Sequence, residues 1–268
     1  MKEGSGRPIA ATALMPLCLL PGLLAAAAPA SADSFLSYVG TASARHAATF
    51  LYGERHVLRY HDGRLSERVV LYTCKDGSAF ARKMVSYVDP LVPDFLLEDA
   101  ANGLLQGIRS EADGRIVFFR PDPADPEKSG PLARTPELVA DAGFDEFVRA
   151  NWLRLMNGQP LQLRFLVPSR LKDYPFLAQH LRSESVEGEP AEVFRLRLSG
   201  ISGWFLSSVD VSYSAAEHVL VRYDGLSDLR DAAGDNFQTQ IEFPLSARKP
   251  SGEQAMRDAR DAALKACR

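Results

Sequence analysis

Several features that usually identify a function are scarce or missing in this chain. Among 268 residues there are three cysteines, two tryptophans and five histidines. No Cys-x-x-Cys and no close Cys/His pair occurs, so no metal site with the spacing of a structural zinc centre is expected. Gly-x-Ser-x-Gly, Gly-x-x-x-x-Gly-Lys, Gly-x-Gly-x-x-Gly after a strand and His-Glu-x-x-His are also missing. Without them, a serine-hydrolase elbow, a phosphate loop, a dinucleotide fold and a zinc-protease helix have no footing, and no cofactor is expected. Nor is there an excess of charge: 31 Lys+Arg stand against 34 Asp+Glu, a formal net of −3. That balance offers no basic face for nucleic acid or for an anionic membrane surface.

What is present begins at the amino terminus. Lys2 and Arg7 give a positive start, an apolar stretch runs from Ile9 to Ala28, and Ala30-Ser31-Ala32 precedes Asp33. Small residues at −3 and −1 suit signal peptidase, so residues 1–32 read as a cleavable secretory signal, with cleavage after Ala32. The alternatives are a membrane anchor, disfavoured by Pro16, Pro21-Gly22 and Pro29, and a lipoprotein centred on Cys18, which Met15-Pro16-Leu17 introduces poorly. Residues 33–268 then form one β-rich domain, periplasmic or secreted, with no later run long enough for the ~20 residues that span a bilayer. Removing Lys2, Arg7 and Glu3 leaves 29 basic and 33 acidic residues, net −4. Cys74 and Cys267 remain, and in an oxidising compartment this single available pairing predicts a disulfide, with two unpaired thiols as the alternative.

The chain is punctuated by Asp-Gly at 62–63, 76–77, 113–114 and 224–225, the dipeptide of tight hairpin turns. Around the first two, Leu51–Tyr60, Leu65–Thr73 and Phe80–Val88 read as a three-stranded meander. Further strands are expected at 95–99, 103–110, 115–120, 161–168, 181–186, 193–198, 206–213, 218–223 and 237–243. Residues 121–136 hold five prolines and read as an exposed loop that cannot supply a ladder. Over 144–157 the period changes: Phe144, Phe147, Val148, Trp152, Leu155 and Met156 make one apolar stripe on a helix, closed by Asn157-Gly158. A second helix is expected over 252–266, with Ser251 as its cap. The fold class is therefore mainly β: a strongly bent antiparallel sheet or incomplete β-barrel of about ten strands, with an inserted amphipathic helix and a C-terminal helix.

Chemistry-bearing residues are scattered. His46, His56, His61, His180 and His218 read as surface or edge histidines without carboxylate partners, and His56 and His61 point to opposite faces of one strand. Asp94, Glu98 and Asp99 cluster around Leu96-Leu97, as two carboxyls across a cleft would in an envelope-polymer hydrolase, or as a solvated strand edge. The aromatic helix is the larger resource. If it packs loosely in the concave side of the sheet, Phe144, Phe147, Trp152, Phe165 and Val167 line a cavity for an acyl chain or lipid. If it packs closely, they are ordinary core.

The run from Gly143 to Trp152 (GFDEFVRANW), with Phe165-Leu166-Val167-Pro168-Ser169-Arg170 and Tyr72-Thr73-Cys74, Asp76-Gly77 and Phe80-Ala81-Arg82-Lys83, resembles a family of uncharacterised exported proteobacterial proteins. In layout alone the chain is similar to the bacterial lipoprotein-carrier fold, a bent antiparallel sheet embracing helices. That resemblance implies lipid chains on the concave face. The expected function is a non-enzymatic periplasmic binding protein for an apolar ligand. The alternatives are an envelope interaction protein with a solid core, meeting another envelope protein, and third, the hydrolase.

Overall fold

Apolar and polar residues alternate through much of the chain, and in the computed structural model more than half of the described residues lie in strands. Residues 1–4, 33–133, 135–199, 208–231 and 233–267 are described. The chain divides into two units, Met1–Ser31 and Ala32–Arg268, and the elements described below belong to the second. Its first part is an antiparallel meander of eight strands: β1 (Asp33–Ala44), β2 (Phe50–His61), β3 (Arg64–Thr73), β4 (Ala79–Ser86), β5 (Asp94–Asp99), β6 (Leu104–Glu111), β7 (Gly114–Arg120) and β8 (Lys128–Pro131). The short β9 (Leu138–Val139) precedes α1 (Gly143–Ala150) and α2 (Trp152–Met156). A second meander follows: β10 (Leu161–Val167), β11 (Lys172–Val186), β12 (Glu189–Leu198), β13 (Val209–Ser214), β14 (Leu220–Arg230) and β15 (Asn236–Glu242). The chain then adds β16 (Lys249–Ser251) and α3 (Glu253–Asp261).

All sixteen strands belong to one sheet, and β1 joins the two meanders. Its first half pairs with β16, through Phe35↔Ser251, and its second half with β15, through Thr41↔Glu242. Between the halves sits Gly40, where a Cβ would lie 2.4 Å from the ring of Phe243, so only glycine admits that ring. Hydrogen bonds do not close the sheet. Instead Leu138, Ala140 and Leu166 from one end pack on Phe95, Ile108 and Val117 near the other, sealing the gap with side chains. The result is an open, strongly curved sheet.

Several expectations need correction. Among the described residues the strands number sixteen rather than about ten; β1, β8, β9 and β16 fall where none was expected, β1 because it carries small and polar residues. Tyr38 and Ala42 are buried only because β1 lies between β2 and the β15–β16 pair, a tertiary circumstance. The Pro-rich segment does supply a ladder: β8 pairs with β7 through Lys128↔Phe119 to Pro131↔Ile116. Proline is tolerated there because β8 is an edge strand, where a missing N–H removes no ladder bond. Asp224-Gly225 is not a turn but the middle of β14, and a Cβ on Gly225 would meet the Val209 side chain at 2.9 Å. Close strand approach, not turn geometry, requires that glycine. In the second meander a left-handed pair, Glu187-Gly188, joins β11 to β12 with φ of 51° and 89°, as Asp62-Gly63 joins β2 to β3 with 49° and 74°. The strand expected from Leu206 begins at Val209; Leu206 lies outside the described residues.

The expected single helix over 144–157 is two. Asn151 divides it, with φ −111° and ψ 14°, and its backbone N–H and side-chain amide both donate to the Phe147 carbonyl, at 3.1 and 2.9 Å. Gly158, with φ 74°, ends α2 as the Asn-Gly pair suggests. The C-terminal helix is shorter than expected, ending at Asp261, and Gly252 rather than Ser251 is its N-cap. Met256 and Ala259 dock α3 on Val57, Val69 and Leu71, on the outer face of the sheet. The remaining tail runs back to β4, where Lys265 N–H donates to Ala79 O, and Cys267 forms a disulfide with Cys74 across 193 positions.

Candidate functional site

On strands, alternate residues share a face, and the register of the first meander aligns Tyr38, His56, Val70, Lys83, Leu97 and Gln106 in one row on the concave side. Glu54 and Tyr72 sit one row away, and Arg68 lies on the other side. Over this surface stands α1, and between them is a cavity of about 380 Å3. By liquid-water volume it would hold about a dozen waters, and it lies within the size range of small-molecule sites.

The wall built by β2 to β6 and by the entry to α1 is polar. Arg68 donates two hydrogen bonds of 3.1 Å to one oxygen of Asp145, whose other oxygen accepts from Tyr213 at 2.8 Å. Lys83 donates to Asp141, just before α1, and at 3.1 Å to Asp228 on β14. Burial alone would pull Lys83 down, yet the charges of Asp141 and Asp228 hold it well above the ordinary lysine value. Burial likewise opposes the charge of Asp145, but Arg68 and Arg149 keep its carboxyl below the usual range. The Arg68–Asp145 and Lys83–Asp141 pairs latch α1 to the sheet, and Lys83–Asp228 ties β4 to β14.

His56 Nε2 lies 2.7 Å from Glu54, and the imidazole stacks on Tyr38 at 4.4 Å, with Arg248 4.1 Å over the same tyrosine ring. Burial pushes the His56 pKa down, against the pull of Glu54. The neutral ring then donates from Nε2, and its buried Nδ1 has no partner among the described residues. Two further buried polar side chains on the cavity wall, Tyr72 and Gln106, make no side-chain hydrogen bond among the described residues. Burial pushes the Tyr72 phenol up, so it stays protonated and can donate.

The opposite wall, from β10 to β15, is mostly apolar: Phe165, Phe176, Leu196, Val209, Leu220 and Ile241 face the space. Of the five residues expected to line it, Phe144, Phe165 and Val167 do so. Phe147 and Trp152 are on the helices but not in the lining. Trp152 stacks on His218 at 3.8 Å and meets Phe194 edge-on at 5.1 Å, within the core behind the cavity. A helical stripe specifies which residues point inward; it does not say which of them will have space in front.

The other candidates have local roles. Asp94 pairs with Arg115, Glu98 with Arg82, and Asp99 holds Asn102 and the Ala101 N–H. Asp99 also points to the opposite face of β5 from the other two, so the three do not converge on one cleft. Three histidines expected to lack carboxylate partners have them: His56 through Glu54, His61 through Asp33 at 2.8 Å and His180 through Glu192 at 2.8 Å. Glu54 stands two positions before His56 on one strand face, a signal available in the sequence and missed there. Among the described residues no group of three or more His, Cys, Asp or Glu could hold a metal ion. A larger groove of about 640 Å3 crosses the outer face beside Met84, Leu96 and Leu105. It is an open furrow, whereas the inner cavity is walled by both meanders and α1.

No protein-family model matches the chain, and no curated protein matches its sequence. Solved structures do resemble it. A β-barrel-like protein of domain of unknown function DUF1849 from Brucella abortus matches 82% of this chain and 98% of its own, with 8% identity and a TM-score of 0.40. A DUF1329 family protein from Desulfovibrio piger matches 88% and 93%, at 11% identity and a TM-score of 0.31. A domain from Vibrio parahaemolyticus named for outer membrane lipoprotein sorting matches 85% and 88%, at 10% identity and a TM-score of 0.31. These are loose likenesses and do not transfer what any of the three binds.

Proposed function

We propose that the protein is a non-enzymatic periplasmic binding protein that holds an amphipathic ligand, through its acyl chain or similar apolar part, between the curved sheet and α1. The observation that carries this reading is the cavity of about 380 Å3, with one apolar and one polar wall. An apolar chain against Phe165, Phe176 and Leu196 removes hydrocarbon from water at about 25 cal/mol per Å2, while a polar end meets groups that otherwise lack partners. Export is part of the same reading. It is supported by the Cys74–Cys267 disulfide, which suits an oxidising compartment. Among the described residues no helix is long and apolar enough to cross a membrane.

Native mass spectrometry of protein purified from the periplasm tests the reading. A mass shift matching one bound amphiphile is expected, absent in Val209→Trp, which fills the apolar wall, and retained in Trp152→Phe, which lies behind it. A clean apo mass after attempted loading with long-chain amphiphiles would reject it in favour of the envelope-partner alternative. N-terminal sequencing of the exported protein should begin at Asp33.

A further inference from the structure

The polar wall also constrains the head of the ligand, if the binding reading above holds. Four carboxylates line the cavity, Glu54, Asp141, Asp145 and Asp228, against two cations, Arg68 and Lys83, a net of −2 with His56 neutral. Just behind the lining, Arg149 is matched by Glu146, and Arg248 lies over Tyr38. Counting these as well gives five carboxylates and four cations, so the surroundings remain negative.

Neither lining cation is free. Arg68 is held by Asp145, and Lys83 by Asp141 and Asp228. An anionic head could reach Arg68 only by displacing Asp145, which also anchors α1, and Lys83 only by displacing Asp141 or Asp228, and it would do so in a negative field. In a low-dielectric enclosure, repulsion between like charges is much stronger than in water. The buried groups without protein partners point the other way. Tyr72 and Gln106 are 6% and 5% exposed. Each can donate and accept, and among the described residues the one side-chain bond of Glu54 is to His56. Together they offer a phenol, an amide and a carboxylate, which suit hydroxyl, amide or ammonium groups. A carboxylate or phosphate head would bring more acceptors and more negative charge to a site already rich in both.

We propose that the cavity discriminates against anionic heads and takes an amphiphile whose head is neutral or cationic and rich in hydrogen-bond donors. Glu54 and Asp228 supply the discriminating charge, while Tyr72 and Gln106 supply hydrogen bonds.

The test uses three probes with one chain length, dodecanoate, monododecanoylglycerol and dodecylamine. Each is titrated into the full exported protein at pH 7.5, below its micellar concentration, with binding followed by native mass spectrometry and calorimetry. The glycerol and amine probes should bind at least tenfold more tightly than dodecanoate. Glu54→Gln and Asp228→Asn should each narrow that gap, the first while keeping a bond to His56 and the second at a half-exposed position that leaves the fold intact. Gln106→Leu should weaken the glycerol probe by several-fold. Dodecanoate binding as tightly as the other two, or an unchanged gap in both charge variants, would overturn the inference while leaving the binding function standing. Failure of all three probes to bind would remove both.

Discussion

Arg68 on β3 and Asp145 on α1, 77 positions apart, form a buried ion pair in which both terminal guanidinium nitrogens reach one carboxylate oxygen at 3.1 Å. This pair, with Lys83 and Asp141, ties the helix that roofs the cavity to the sheet that floors it.

Removing one partner leaves the other charge buried and unpaired, which typically destabilises by roughly 3–5 kcal/mol. Asp145→Ala and Arg68→Met should each lose about that much in urea unfolding. The double variant should lose less than the sum of the two, because it strands no charge. Strictly additive losses would mean that the pair is not coupled.

Stability should also respond to pH through His56. Burial lowers its folded pKa, so near the ordinary histidine value of about 6.5 the unfolded chain takes up a proton that the folded protein does not. As pH falls from about 6.5 toward the lower folded value, His56 therefore favours unfolding, with a slope approaching 1.4 kcal/mol per pH unit. The unfolding free energy of wild type should fall relative to His56→Gln between pH 6.5 and 5. Parallel pH curves for the two proteins would contradict this. Asp145, with a depressed folded pKa, acts lower: its contribution is present above about pH 4 and is lost as pH falls through the folded value.

The disulfide closes a loop across 193 positions. Chain-entropy reasoning gives about 5 kcal/mol for a loop of that length, less any strain in the folded state. The Cys74→Ser/Cys267→Ser double variant should show a lower urea midpoint by a corresponding amount, and reduced wild type should match it. A midpoint indifferent to reductant would show that α3 docks without the bridge.

Gly143→Ala should destabilise, although alanine is favoured over glycine in helices by about 1 kcal/mol. A Cβ at Gly143 would lie 2.0 Å from the Leu91 carbonyl oxygen, so α1 would have to move off its support. Overpacking of this kind generally costs about 1–3 kcal/mol. Thermal unfolding should therefore shift down, with weaker binding of the amphiphile probes; an upward shift would show that α1 is not seated as described.

Much of this protein can be read from residue order because alternation and turn chemistry are local. Val69-Val70-Leu71-Tyr72 between Asp62-Gly63 and Asp76-Gly77 specifies β3 wherever it is placed, and Phe144, Phe147 and Trp152 at helical spacing specify an inward-facing stripe. The two late cysteines left one intramolecular pairing to consider, and that pairing forms. Other features depended on neighbours remote in sequence. β1 is a strand because two partners flank its small side chains, and Asp224-Gly225 lies within a strand because β13 and β15 pair with it on either side, where Val209 leaves no room for a Cβ on the glycine. The helical stripe could not separate Phe144, which faces the cavity, from Trp152, which His218 and Phe194 enclose. The polar wall was hidden for the same reason: Arg68, Lys83, Asp141, Asp145 and Asp228 look like ordinary surface charges until the sheet curves and brings them under one helix. Local patterns determine which face a side chain takes, since that depends only on backbone period. Whether that face meets protein, solvent or a cavity depends on how distant strands are registered, and the tertiary fold alone decides it.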